Sequence, residues 1–278
     1  SILTMGKVAS KEMTFSSDLD LIFIYKPFKN KKKFKNKIFS DNVFYSRLAQ
    51  FFISSLTVST SKGNLYKVDM RLRPSGRQGP VASSLPAFIN YQKKEAWIWE
   101  KLALSRSRVI SGHKKLKKKI IEAREEILNT NIDEVLVKKE VSEMRSKIFL
   151  HGSIDETVLE VKKGRGKLLD LELLIQMGMI KNHIVELKSF EKIIKVLEKK
   201  RFFSNEESLL CSSAYKLYTE IQQVSRLIIK EKIKLDKDSD RYELIFKKYF
   251  QNLSIVNIFK KVSFYSLEVD MIFKNKLK

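Results

Sequence analysis

An α+β fold is predicted. It has a small mixed sheet with flanking helices over residues 1–112, followed by an all-helical bundle over 113–278. Two observations predict it. Runs rich in β-branched and aromatic residues, SILTM at 1–5 and LDLIFIY at 19–25, mark strands in the first part. From about His113 the character changes: glycine is scarce, proline is absent, and amphipathic patterns succeed one another at 114–128, 133–149, 168–183, 189–200, 205–232 and 240–273.

The elements follow in order. KPFKNKKKFKNKIFSD, 26–41, is polar and basic and reads as a surface loop. Asp41 opens a helical pattern with Val43, Leu48, Phe51, Phe52 and Leu56 near helical spacing. Lys62-Gly63-Asn64 is a turn signal. In LYKVDMRLRP, Leu65, Lys67, Asp69 and Arg71 alternate against Tyr66, Val68, Met70 and Leu72, which predicts a strand ended by Pro74. Ser84 is placed to cap a helix that Pro86 begins and that runs in helical style from Ala87 to Arg106. GSIDE and KKGRGK are the clearest interruptions of the bundle, and there is no internal repeat.

Composition narrows the class. The chain has 278 residues, enough for a good core and for two domains, and 43% hydrophobic content excludes a disordered chain. No apolar run approaches the ~18 residues of a membrane span, so no membrane partner is expected. The single cysteine, Cys211, allows no internal disulfide and suits a reducing cytoplasm. No signal-peptide pattern opens the sequence. The abrupt start, without Met and five residues ahead of a motif, is that expected of a segment of a longer chain. The formal charge of +23 would suit an acidic partner such as nucleic acid. The basic residues are nevertheless spread along the whole chain, and Lys, Ile, Asn and Phe are plentiful together, as AT-rich coding would give. That reading is preferred, and nucleic acid is not expected as the partner.

Asp18 and Asp20 stand at the mouth of an apolar strand. On a strand, residues i and i+2 share a face, about 6.6 Å apart along the backbone. Two bare carboxylates near 6 Å repel by about 3 kcal/mol at an effective dielectric of about 20. Either one holds a proton or a cation lies between them. Oxygen-only ligands favour a hard divalent ion, Mg²⁺ above all. Asp69 supplies a third carboxylate from a second strand, the set needed for two-metal phosphoryl chemistry. Met5-Gly6-Lys7 gives a glycine turn where backbone N–H groups and a lysine charge can approach phosphates. Each element alone is weak, since Asp-x-Asp is usually a cap or a surface pair. In this order and spacing they match the nucleotidyltransferase signature, with catalytic and metal-holding Asp18, Asp20 and Asp69.

The stretches GKVASKEMTFSSDLDLIFIY, YKVDMRLRPSGRQGPVASSLPAFINYQ and EAWIWEKLALSRSRVISG closely resemble the glutamine synthetase adenylyltransferase family, over most of residues 5–112. A weaker echo runs through VKKGRGKLLDLELLIQ, 161–176. The resemblance implies a nucleotidyltransferase-type sheet that transfers AMP from ATP to a tyrosine of glutamine synthetase, or removes it. It implies Mg²⁺ on Asp18, Asp20 and Asp69, and ATP phosphates beside Gly6 and Lys7. It also implies regulation through a PII-type signalling protein, and a cytoplasmic location. Family members usually carry two such halves, and the wording here looks most like the C-terminal, adenylylating one. Val8-Ala9-Ser10 stands where the family usually has Leu-Gly-Gly or Leu-Gly-Ser, and Ala9 reaches positive φ less readily than glycine. In the distal motif Lys167 replaces a glycine and Leu173 a phenylalanine. A nucleotidyltransferase acting on RNA and a helical binding protein with a decayed enzyme domain are the alternatives.

Further candidates surround the acids. Arg71 shares the Asp69 face, and guanidinium suits phosphate through paired donors, so Arg71 and Arg73 are taken as nucleotide-binding, with Arg77 close by. A salt bridge from Arg71 to Asp69 or Glu100 is the plainer alternative. Ser16 and Ser17 either donate to phosphate or end the preceding turn. Trp97 and Trp99, about 200° apart on a helix, are expected in the core. Arg106 and Arg108 are expected at the surface. Lys162, Asp170 and Glu172 surround a Gly164/Gly166 turn, where Asp170 can cap the following helix. His113, His151 and His183 share no metal spacing.

Overall fold

The structure is a computed structural model that describes residues 1–27, 33, 34, 37, 38, 40–150, 157–228 and 233–278. His151, the GSIDE turn, part of the basic run 26–41 and residues 229–232 of the 205–232 pattern lie outside the described residues. The chain forms two compact units, one of residues 1–131 with 183–189, the other of 132–182 with 190–278.

Alternation builds the first unit. Strand β2 (Leu19–Tyr25) is the centre of the sheet, and both of its faces are apolar. It pairs antiparallel with β1 (Ile2–Met5), as Ile2↔Phe23 and Thr4↔Leu21. The short helix α1 (Gly6–Ser10) follows β1 directly. Two two-residue strands, β3 (Lys33–Phe34) and β4 (Lys37–Ile38), pair with each other inside the run predicted as loop. Ser40 caps α2 (Asp41–Thr57), its hydroxyl accepting from the Val43 N–H, so this helix begins as the sequence indicates. Strand β5 (Val68–Asp69) and strand β6 (Ala82–Ser84) both lie parallel to β2, at its two ends. The sheet order is β5-β2-β1-β7, where β7 is Ser107–Ser111, with β6 also on β2.

Period-two side chains divide the core. Ile22 and Ile24 face Leu85, Phe88, Leu104, Ile120 and Ile127 on one side. Leu21, Phe23 and Tyr25 face Tyr45, Ala49, Ile53 and Leu56 of α2 on the other. Tyr25 stacks on Tyr45 with ring centroids 4.4 Å apart.

Three sequence expectations need correction here. The ten-residue strand at 65–74 shortens to Val68–Asp69, because the chain turns at Arg71–Ser75 with Ser75 at φ 59°. The helix foreseen from Ala87 to Arg106 is two helices, α3 (Leu85–Lys94) and α4 (Ile98–Ser105), followed by strand β7 (Ser107–Ser111). Ser84 does cap α3, accepting from the Ala87 N–H. The break between the helices is a buried polar knot. The Glu100 carboxylate accepts from the Trp97 N–H at 2.9 Å and from the Tyr91 hydroxyl at 3.0 Å. Opening the chain there turns both tryptophans outward: Trp97 is 62% exposed and Trp99 38%, so neither is core.

Helix α5 (Lys114–Leu128) packs on α3, α4 and β7 within the first unit. The compositional change near His113 and the change of packing partner at Ile132 are thus different boundaries. Arg124 of α5 is buried without a carboxylate. It donates instead to the carbonyls of Leu104, Ser105 and Val185 and to the Ser107 hydroxyl. Burial lowers its guanidinium pKa to about 10.

The second unit is helical: α6 (Glu134–Leu150), α7 (Leu168–Lys181), α8 (Phe190–Lys199), α9 (Asn205–Ile228), α10 (Leu235–Tyr249) and α11 (Ile255–Leu277). The pattern at 240–273 is two helices, because Gln251 and Asn252 take positive φ and Ser254 caps a new start. Arg145 ties the unit together. Its guanidinium bonds the fully buried Asp170, at 3.0 Å from Nε to Oδ1, and also Asp270, and it lies 4.4 Å from the Phe273 ring centre. Asp170 also accepts from the Gly166 N–H at 2.6 Å, while Lys167 is the cap residue of α7. Asp170 therefore holds the turn and the bundle core rather than capping from outside.

Removing one member of a buried ion cluster leaves the others uncompensated. Arg145→Leu is expected to cost about 3–5 kcal/mol, read as a lower denaturant midpoint of the full chain.

Candidate active site

The parallel pairing of β2 with β5 sets the site. Its register is Leu19↔Val68 and Asp20↔Asp69, so two acids stand side by side on adjacent strands. Asp18 lies just before β2. Asp18 and Asp69 line one cavity of about 400 Å³ with Lys67, Met70, Arg71, Arg73 and Arg77. On the other flank of β2, Gly6 leaves β1 at φ +58°. A Cβ added there would lie 3.3 Å from Asp20 Oδ2, so the glycine admits both the left-handed turn and the close carboxylate. The Thr4 hydroxyl donates to the Asp20 carbonyl at 3.0 Å and fixes the strand at this point.

Arg71 holds the third acid. Its backbone N–H meets Asp69 Oδ1 at 2.8 Å, and its Nε meets Oδ2 at 2.8 Å. These hydrogen bonds hold the Asp69 carboxyl below its usual range and raise the Arg71 guanidinium. The Arg71 side chain is 69% exposed, so the pair is a surface one. Arg73 is engaged differently. Its guanidinium donates to the carbonyls of Met70 (2.8 Å), Gly79 (3.3 Å) and Arg77 (3.2 Å), bracing the loop that presents Arg71 and Arg77. Burial lowers its pKa. The Tyr91 hydroxyl donates to both Glu100 carboxylate oxygens at 3.0 Å.

The glycine turn is also committed. The Gly6 N–H donates to the Arg106 carbonyl at 2.9 Å, and the Lys7 carbonyl accepts from the Glu12 N–H. Arg106 is 3% exposed, against the expectation of a surface role. It bonds Ser10 Oγ at 3.0 Å and Glu12 Oε2 at 3.1 Å, and Arg108 bonds the Val8 carbonyl at 2.9 Å. Arg106, which ends α4, and Arg108 of β7 thereby seat α1. Ala9 is buried inside α1, and its φ is not positive, so its replacement of glycine costs no backbone strain. Ser17 ends the turn: its hydroxyl accepts from the Thr14 N–H at 3.0 Å and pairs with the Thr14 hydroxyl at 2.8 Å. Ser16 takes φ 57° in the same turn.

Sequence reasoning named the acids and Arg71 but did not single out Lys67. The signal was there, since Lys67 alternates with Asp69 and Arg71 along LYKVDMRLRP. It gave no sign that Arg106 is buried. Asp18, Asp20 and Asp69 offer oxygen donors alone, the chemistry that suits a hard divalent ion. Among the described residues no three acidic, histidine or cysteine side chains close to the spacing of one metal ion. Release of Asp69 by the exposed Arg71 is the movement that would free its oxygens.

Two variants probe this geometry. Arg71→Ala is expected to bring the Asp69 carboxyl back up toward the ordinary range, followed by a carboxyl NMR titration. Asp69 in the native protein has a folded pKa below its unfolded one, so the stability it adds is present at neutral pH and lost as pH falls through the folded value; in Arg71→Ala that acid-side loss should shrink. Gly6→Ala is expected to destabilise by about 1–2 kcal/mol in chemical denaturation, because a Cβ at φ +58° is strained.

Comparison with known proteins shows what the chain is similar to. The sequence model of the family described as glutamate-ammonia ligase adenylyltransferase matches residues 1–123. Several curated proteins named bifunctional glutamine synthetase adenylyltransferase/adenylyl-removing enzyme are similar. That of Rhodopseudomonas palustris (strain ATCC BAA-98 / CGA009) is 35% identical over 250 residues, 86% of this chain and 25% of the relative. That of Nitrosococcus oceani is 36% identical over 228 residues, 78% of this chain and 23% of the relative. The chain spans about a quarter of the length of these relatives. No described helix is long and apolar enough to cross a membrane. Residues 1–123 thus match the glutamate-ammonia ligase adenylyltransferase family model, and the chain is similar to one stretch of the bifunctional enzymes.

Proposed function

We propose that this chain transfers AMP from ATP to a tyrosine hydroxyl of glutamine synthetase, as the C-terminal, adenylylating half of such an enzyme does, and works in the cytoplasm. Removal of AMP by phosphorolysis would be a separate reaction, in which a phosphate oxygen bonds to the same phosphorus, the bond to the tyrosine oxygen breaks, and ADP and the free hydroxyl are formed. The observation that carries the reading is the Asp20↔Asp69 register, with Asp18 and Asp69 on one cavity lined by Lys67, Arg71 and Arg77.

The acceptor oxygen bonds to the α-phosphorus of ATP. The bond from that phosphorus to the oxygen bridging to the β-phosphate breaks, and pyrophosphate leaves with the electron pair. The hydroxyl proton passes to a carboxylate oxygen of Asp69. While Arg71 holds it, Asp69 is a weak base. Arg71 moving from Asp69 to a phosphate both releases the base and stabilises the leaving charge. Lys67 and Arg77 add positive charge at the same cavity. Asp18, Asp20 and Asp69 are the residues that would hold Mg²⁺, which when bound neutralises the phosphate charge and polarises the attacked phosphorus. Lys7 stands beside the Asp20 flank and is assigned to the ATP phosphates with Gly6. The helical unit is assigned to recognition of protein partners, a PII-type signalling protein among them, on the strength of the family resemblance.

The test is labelling by ATP tagged at the α-phosphate, with Mg²⁺ and either glutamine synthetase or RNA as acceptor. Label on glutamine synthetase is expected; label on RNA alone would replace the proposal with an RNA-directed enzyme. Loss of a group that merely supports a metal ligand costs about 10–100-fold. Asp18→Asn is therefore expected to lower labelling by at least about 100-fold, with the thermal midpoint nearly unchanged because Asp18 is exposed.

A further inference from the structure

We infer that the second cavity at Asp18, between residues 13–18 and 64–67, seats the aromatic ring of the acceptor hydroxyl. The inference rests on the AMP-transfer reading above. The cavity has a volume of about 550 Å³, within the roughly 300–1,000 Å³ usual for small-ligand sites. Its walls are Met13, Phe15, Leu65 and Tyr66, and Asp18 and Lys67 lie at the end it shares with the charged cavity.

Position decides between the two rings in the reaction, the purine and the acceptor. Strand β2 has different neighbours on its two flanks: β1, which leads into Gly6, and β5, which carries Asp69. The aromatic cavity is built from the turn entering β2 and the segment entering β5, so it belongs to the Asp69 flank. Asp69 is the carboxylate assigned to the acceptor proton, and the acceptor must therefore arrive from that flank. Shape and polarity agree. A phenol has an apolar body and one polar tip, and such a group fits an apolar wall that ends in a carboxylate and a lysine. A serine or threonine hydroxyl would leave those walls unused. Phe15 is 57% exposed, Leu65 69% and Tyr66 43%, a group of large apolar side chains beside the charged centre.

The test uses the full chain with Phe15→Ala and Tyr66→Ala, both at exposed positions where folding is expected to survive. Saturation-transfer NMR is recorded with N-acetyltyrosinamide and, separately, with adenosine. The wild-type protein is expected to transfer saturation to the tyrosinamide, both variants to reduce it by about tenfold, and the adenosine response to stay the same. In steady-state labelling, KM for glutamine synthetase should rise by a similar factor and KM for ATP should not. Loss of the adenosine response with an intact tyrosinamide response would make the cavity a purine site and overturn the inference. So would absence of any transfer from the wild-type protein to the tyrosinamide. If the wild-type protein binds the tyrosinamide through Phe15 and Tyr66 but moves no AMP, the proposed reaction fails while the aromatic seat stands.

Discussion

Side-by-side acids on neighbouring strands are the constraint to which the first unit answers. Adjacent strands run about 4.8 Å apart, and two carboxylates at about 5 Å repel by about 3 kcal/mol at an effective dielectric near 20. The Asp20↔Asp69 register imposes that kind of proximity, with Asp18 two residues from Asp20. The fold accepts it because the strand beyond Asp20 is anchored on both faces, by Ile22 and Ile24 on one and Leu21, Phe23 and Tyr25 on the other. Arg71 offsets part of the charge by bonding Asp69, and it also feels Asp18 and Asp20.

The supports are arranged so that the reactive groups stay exposed and their braces stay buried. Arg73 spends its donors on three carbonyls, which lets Arg71 and Arg77 project into the cavity from a fixed loop. Tyr91 and Glu100 hold the break between α3 and α4, and burial pushes the Glu100 carboxyl up. On the other flank Arg106 and Arg108 hold α1 and so the glycine turn against Asp20. Arginine serves both purposes because its planar fork can be locked by backbone carbonyls or left to meet a phosphate.

The helical unit solves a different problem. Its core contains an arginine and two aspartates, and only mutual pairing makes their burial tolerable. Gly166 shows how closely this core is packed: a Cβ there would lie 1.8 Å from the Ser266 carbonyl oxygen, and its φ is +67°. Of the motif around 161–176, Asp170 and the second glycine thus have structural work in the bundle itself, and Leu173 is a buried core residue where the family usually has a phenylalanine.

Local signals in the sequence determined the elements that depend on neighbouring residues alone. The alternation in LDLIFIY, the Ser84-Leu85-Pro86 start of α3 and the apolar period of 114–128 each fix an element, because capping and amphipathic spacing act within a few residues. The three acids, Gly6 and Arg71 were legible as candidates for the same reason, as residue types at meaningful spacing on or beside strands. Tertiary structure alone decided what depends on partners far along the chain. It shortened the strand at Asp69, because the chain turns at Arg71–Ser75 and Arg73 closes on the carbonyls of that loop, and it broke the helix at Glu95–Trp97, because Glu100 turns back to cap it. It buried Arg106 against Ser10 and Glu12, more than 90 residues away in sequence, and tied Arg73 to three carbonyls at the edge of the cavity it lines. Those outcomes are set by which donors find acceptors once the sheet has closed, and no periodicity in the chain encodes them.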